Sequence, residues 1–235
     1  DAGAHRVGGP AGFGQRVSGI VRRRIRPVKR RQIEALAVAG EIRQATGKYP
    51  HFWGHSQGGL LAAHFASRYP AMVASLTLMA ALPPVGLLRT LIKAVEQNQE
   101  MRPLLWGCAQ LPIGDMRRFQ RFFLYEDIPA EWVQEWFEAS RPASWWLTPQ
   151  LLLNQVKTDK ITCPVLVQTA QDDRAVPALA TKFTMQSLAH LGTHRQHLLY
   201  PGPHDLMLTV AVEDMVRDSA EFMHFYARFA PAQTP

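Results

Sequence analysis

Gly54-His55-Ser56-Gln57-Gly58 sets a serine between two glycines, and Gly59 follows. A serine hydroxyl is a weak nucleophile at neutral pH and becomes useful only where a base takes its proton. The apolar pair Phe52-Trp53 precedes the motif and a helix-patterned stretch follows it, the strand–turn–helix context of a nucleophile elbow. Such a turn forces strained backbone angles on the serine. Small residues two before and two after it, Gly54 and Gly58, are expected to let strand and helix pass. The serine oxygen then stands above the sheet, and the Gln57 N–H is the expected oxyanion donor.

An elbow serine needs an acid and then a histidine, in that chain order, after later strands of a parallel sheet. Pro164-Val165-Leu166-Val167-Gln168-Thr169 is the β-branched run of a strand buried on both faces, and Asp172-Asp173 follow it. A helix-like stretch comes next, from about Pro177 to Leu191. Gln196–Tyr200 then reads as a short strand ending in Pro201-Gly202-Pro203-His204-Asp205. Ser56, an aspartate and His204 complete the order. His204 would take the serine proton, and the aspartate would hold the other ring nitrogen and fix the tautomer. The rate should then rise with pH through a titration near the ordinary histidine value of ~6.5.

These segments resemble the α/β-hydrolase superfamily over roughly residues 35–228, most closely its bacterial lysophospholipase- and monoglyceride-lipase-like members. The resemblance rests on the elbow, on the run from Pro164 to Pro177 and on that from Pro201 to Leu208. It implies an α/β fold, a mostly parallel sheet flanked by helices with a helical cap insertion. It also implies a serine hydrolase that passes through an acyl-enzyme. In the family pattern the acid stands three residues before the valine of Asp-x-x-Val-Pro, which selects Asp173, with Asp172 as the neighbour to test second. The expected substrate is a lysolipid, a monoglyceride or a small acyl ester. An amidase, thioesterase or acyltransferase would use the same triad. A catalytically impaired binding protein would keep only the pocket.

The other histidines lack a loop after a strand. His51 and His197 fall within strands, His64 lies on the helix after the elbow, and His55 sits inside the turn, where packing or a substrate contact is expected. Cys108 and Cys163 have no metal-ligand spacing and read as small hydrophobes. We expect no metal, and no cofactor, since no phosphate-binding glycine pattern stands between a strand and a helix.

A chain of 235 residues, 47% hydrophobic, suffices for one core. No apolar run approaches the ~18 residues of a membrane span. Two cysteines and no apolar leader point to a cytoplasmic protein. Residues 1–31 hold nine Lys/Arg and one acid, a balance of +8 against +7 for the whole chain, so the remainder is close to neutral at −1. This basic Gly/Arg-rich segment reads as a solvated tail rather than a nucleic-acid-binding arm. A helix is expected from Val28 to Thr46, with Ile33, Leu36, Ala37, Ala39 and Ile42 as its apolar stripe. Four strands with their helices and loops would need ~60–75 residues ahead of the elbow. Fewer are present, so most early strands and a second oxyanion donor are expected to be missing.

The hydrolase core is expected at 32–82 and 161–235, with residues 83–160 as a helical cap. Five of six tryptophans fall in the insertion. We read Trp106, Phe123, Trp132, Trp136 and Trp146, with His55, as lining an apolar substrate pocket. Oligomeric state is not legible in the sequence.

Overall fold

The computed structural model describes residues 27–97, 129, 131–132, 134–135 and 156–227. Among the described residues four parallel strands make one sheet in the order β1-β2-β3-β4: His51–His55, Ser75–Met79, Val165–Ala170 and Arg195–Tyr200. Among the described residues the α-helices with defined bounds are α1 (Pro27–Thr46), α2 (Gln57–Arg68), α3 (Leu87–Gln97), α4 (Ala178–Ser187) and α5 (Val212–Ala227). Parallel neighbours require crossovers, and α2 and α4 supply them between β1 and β2 and between β3 and β4.

β2 is buried at every position and β3 at all but Thr169, as strands covered on both faces must be. Their side chains alternate between two cores. Leu76, Leu78, Val165 and Val167 pack with Leu60, Ala63 and Phe65 of α2 and Ala39 of α1. Leu166 faces Phe222 and Tyr226 of α5, while Met79, Ala170 and Tyr200 meet Met215 and Leu206. Gln168 is a polar residue inside this second layer; its amide donates to the Met215 carbonyl at 2.9 Å and to Tyr200 Oη at 3.2 Å.

α1 forms where the sequence predicts it, but its buried face differs. Gln32 and Ala39 are buried and Ala35 and Leu36 pack against the core, whereas Ile33 and Ile42 are 45% and 38% exposed. The row at 32, 35, 36 and 39 is one helical face, and the bulkier isoleucines lie off it. Among the described residues β1 is an edge strand, and Trp53 on it is exposed. The expectations about early strands fall on residues 1–26, outside the described part. Most of the expected cap also lies outside it; of that insertion, α3 is described, with Leu87 buried and Leu88 and Ile92 exposed. Among the described residues no helix is long and apolar enough to cross a membrane.

Candidate active site

The turn after β1 has the strain the motif demands. Ser56 has φ 52° and ψ −121°, a conformation that costs a non-glycine residue ~1–3 kcal/mol. The neighbouring chain holds it there. Ser56 N–H donates to the Met79 carbonyl at 3.0 Å, and the Ser56 carbonyl accepts from Gly59 and Leu82 N–H, each at 3.1 Å. The segment leaving β2 thus fixes the elbow from both sides. Gln57 is the first residue of α2, at the positive end of the helix dipole.

The glycines divide their work differently from the sequence expectation. A Cβ on Gly54 would stand 2.6 Å from the Gly58 carbonyl oxygen and the Gly59 Cα. One on Gly59 would stand 2.4 Å from Ala81 Cβ and 2.9 Å from the Gly54 carbonyl oxygen. One on Gly58 would meet nothing within 4 Å. The close crossing is therefore made by Gly54 and Gly59, because α2 leaves the turn with residue 59 facing the strand. Gly59→Ala should cost ~1–3 kcal/mol by overpacking, at ~2–4 °C of Tm per kcal/mol for a chain of this size. Gly58→Ala should leave Tm unchanged or raise it slightly. Thermal melts of the two variants check this, and equal losses at both sites would contradict it.

Asp173 and His204 leave the C-terminal ends of β3 and β4 and meet. His204 Nδ1 lies 2.9 Å from Asp173 Oδ2 and 3.1 Å from Oδ1. Both side chains are almost fully buried, at 1% and 3% exposure. Asp173 is oriented in turn: its Oδ1 accepts Ala175 N–H at 2.8 Å and Val176 N–H at 2.7 Å. Asp172 is an exposed neighbour whose backbone N–H donates to the Gly202 carbonyl at 2.9 Å. Burial pulls the His204 pKa down, but the charge of Asp173, the hydrogen bond to it and the charge of Asp205 together carry it above its ordinary value.

His55, next to Ser56, lies over this pair. Its ring centroid is 4.7 Å from that of His204, and its Nε2 lies 3.2 Å from the His204 carbonyl oxygen and 3.3 Å from Asp205 Oδ1. Burial first, and then the charge of His204, lower the His55 pKa to about 3, so this ring is neutral at working pH. Burial raises the Asp205 carboxyl to about 7. Asp205 is the site residue that sequence reasoning missed. Its only signal is adjacency to His204, and its partner lies 150 residues away in the chain. His55, His204 and Asp205 offer ligand atoms within 4.8 Å of one another, a grouping invisible in the linear spacing. Two of the three are already paired with each other, His55 Nε2 with the Asp205 carboxyl at 3.3 Å, and we assign no metal.

The remaining candidates are dispersed. His51 Nδ1 pairs with Ser75 Oγ at 2.7 Å and His197 Nε2 with Thr169 Oγ1 at 2.8 Å, both along the sheet. Cys163 is buried in the core, which pushes its thiol up to about 12. Trp132 is half exposed. Trp106, Phe123, Trp136 and Trp146 lie outside the described residues, as does Cys108.

An elbow after β1, an acid after β3 and a histidine after β4, all at the C-terminal edge of one parallel sheet, are the arrangement expected of an α/β-hydrolase. The sequence matches the profile of the alpha/beta hydrolase family over residues 11–217, and the chain belongs to that family. Among solved structures it is similar to a monoacylglycerol lipase of Paleococcus ferrophilus, at 14% identity and a TM-score of 0.56, over 83% of this chain and 76% of that one. It is similar to a thermophilic esterase from Thermogutta terrifontis, at 19% identity and a TM-score of 0.57, over 83% and 72%. It is also similar to E-2-(acetamidomethylene)succinate hydrolase, at 20% identity and a TM-score of 0.55, over 81% and 72%. No curated protein matches the sequence. These likenesses establish the fold and leave the substrate open.

Proposed function

We propose that the protein hydrolyses carboxylic esters through an acyl-enzyme on Ser56. The observation that carries this reading is the buried His204–Asp173 pair beside a strained serine turn. In the first half-reaction His204 Nε2 takes the Ser56 proton as Oγ attacks the ester carbonyl. The oxyanion develops at the start of α2, where the Gln57 N–H and the helix dipole stabilise it. The same proton then passes to the departing alcohol. In the second half-reaction His204 deprotonates a water molecule, which releases the acid and regenerates Ser56. Asp173 holds the Nδ1 proton and stabilises the imidazolium in both halves. None of these steps calls on a cofactor. The aromatic-rich sequence of the insertion, with Trp106, Phe123, Trp132, Trp136 and Trp146, supports an apolar acyl chain, which favours a lysolipid, monoglyceride or small acyl ester.

A fluorophosphonate probe should label Ser56, and p-nitrophenyl esters of increasing chain length should be turned over with a preference for apolar chains. Absence of labelling on folded protein would leave a hydrolase-like binding protein as the better description. Labelling with turnover of amides or thioesters, but not oxygen esters, would move the substrate class.

The pH dependence follows from the direction of the His204 shift. Asp173 favours the charged imidazolium, so the neutral base is available only at higher pH. kcat/KM should rise with a midpoint above 6.5, higher than the unperturbed value expected from the sequence. His55 stays neutral throughout and adds no limb. A profile from pH 5 to 9 checks this; a midpoint below 6.5 contradicts the coupling to Asp173.

A further inference from the structure

The loop that carries His204 must reach across the sheet. β4 stands three positions from β1, ~14 Å at the ordinary spacing of neighbouring strands. Backbone hydrogen bonds tie this loop to the one after β3: Gln171 N–H donates to the Tyr200 carbonyl and Asp172 N–H to the Gly202 carbonyl, each at 2.9 Å. They hold His204 in register with Asp173. The distance from His204 to Ser56 is a separate quantity, and it decides whether a proton can move.

His55 spans that gap. It is joined to Ser56 by one peptide bond, and its Nε2 reaches the carbonyl of His204 at 3.2 Å and the carboxyl of Asp205 at 3.3 Å. A carbonyl oxygen can only accept, so Nε2 carries the ring proton and donates it. The imidazole side chain is 22% exposed and the Asp205 carboxyl 3%, so water competes poorly for the bond. The two imidazoles also pack at 4.7 Å with planes inclined by 47°.

We propose that His55 is a positioning residue whose Nε2–H clamps the His204–Asp205 segment onto the nucleophile elbow and sets the separation of base and nucleophile. This rests on the acyl-transfer reading above and assigns His55 to the protein's own geometry rather than to substrate contact. A displacement of ~1 Å at a reacting pair costs ~10²-fold in rate, so a single tie at this point carries a large kinetic effect.

The test compares His55→Leu with His55→Gln in the full chain, with kcat expressed per fluorophosphonate-labelled site so that misfolded protein is not counted. Leucine keeps the bulk and removes the donor. Glutamine carries its amide nitrogen to about the Nε2 position and can donate to both acceptors. His55→Leu should lose ~10–100-fold in kcat with KM within ~3-fold, and His55→Gln should return to within ~5-fold of wild type. Should the leucine variant not fold, His55→Asn replaces it; its amide stops short of both acceptors and should show the same loss. Wild-type kcat per labelled site in the leucine variant overturns the clamp. So does a loss confined to KM, which would mark a substrate contact, or a glutamine variant no better than leucine. An unlabelled wild type would instead sink the acyl-transfer reading, and the clamp with it.

Discussion

Ser56→Ala is expected to abolish ester turnover and probe labelling, with kcat falling by ~10⁴–10⁶-fold. The magnitude follows from the covalent step. Without Oγ there is no acyl-enzyme, and water must attack directly with only the oxyanion site and binding to help it. The fold should survive. The strained backbone at residue 56 is held by three backbone hydrogen bonds, from Gly59 and Leu82 and to Met79, and none involves the hydroxyl. Tm should therefore stay within a few degrees of wild type, which separates lost chemistry from lost structure. A variant that keeps more than about a thousandth of wild-type kcat would exclude the covalent mechanism.

Asp173→Asn should lower kcat by ~10⁴-fold while the site keeps its shape. Oδ1 of Asp173 accepts N–H from Ala175 and Val176, so in the variant the amide oxygen takes that position and the NH₂ group takes the place of Oδ2. Oδ2 is the atom 2.9 Å from His204 Nδ1. A donor there makes Nδ1 an acceptor and moves the ring proton to Nε2, leaving no lone pair to receive the serine proton. Asp172 is exposed and its backbone N–H, which the substitution keeps, makes the bond to Gly202, so Asp172→Asn should stay within ~3-fold of wild type. Steady-state kinetics on the two variants decide it, and the reverse ranking would reassign the acid.

Much of this architecture was legible in the linear chain because its signals are local. A buried parallel strand must be a short continuous apolar run, and Pro164–Thr169 is one. A nucleophile elbow must be compressed into five or six residues, so the chain shows it whole at 54–59. The order of the candidate serine, acid and histidine, and the strand ends expected to carry them, are read from those runs. The fold class followed too, and membership of the family agrees with it.

Tertiary structure alone decided what depends on direction and distance. The helical stripe of α1 contained five apolar positions, but packing chose Ala35, Leu36 and Ala39 and left Ile33 and Ile42 outside, since burial depends on where the partner surface lies. The glycine pattern named Gly54 and Gly58, and the path of α2 out of the turn shifted the tight contact to Gly59. Burial pulls the His204 pKa down, but Asp173 and Asp205 facing it carry it above the ordinary value, a fact of geometry that no residue type carries. The bond from His55 to Asp205 joins positions 150 residues apart, at the end of β1 and in the loop after β4, the two outer strands of the described sheet. Composition and spacing determine which groups a chain owns; which of them share a few ångströms of dry space is settled only when the strands take their order.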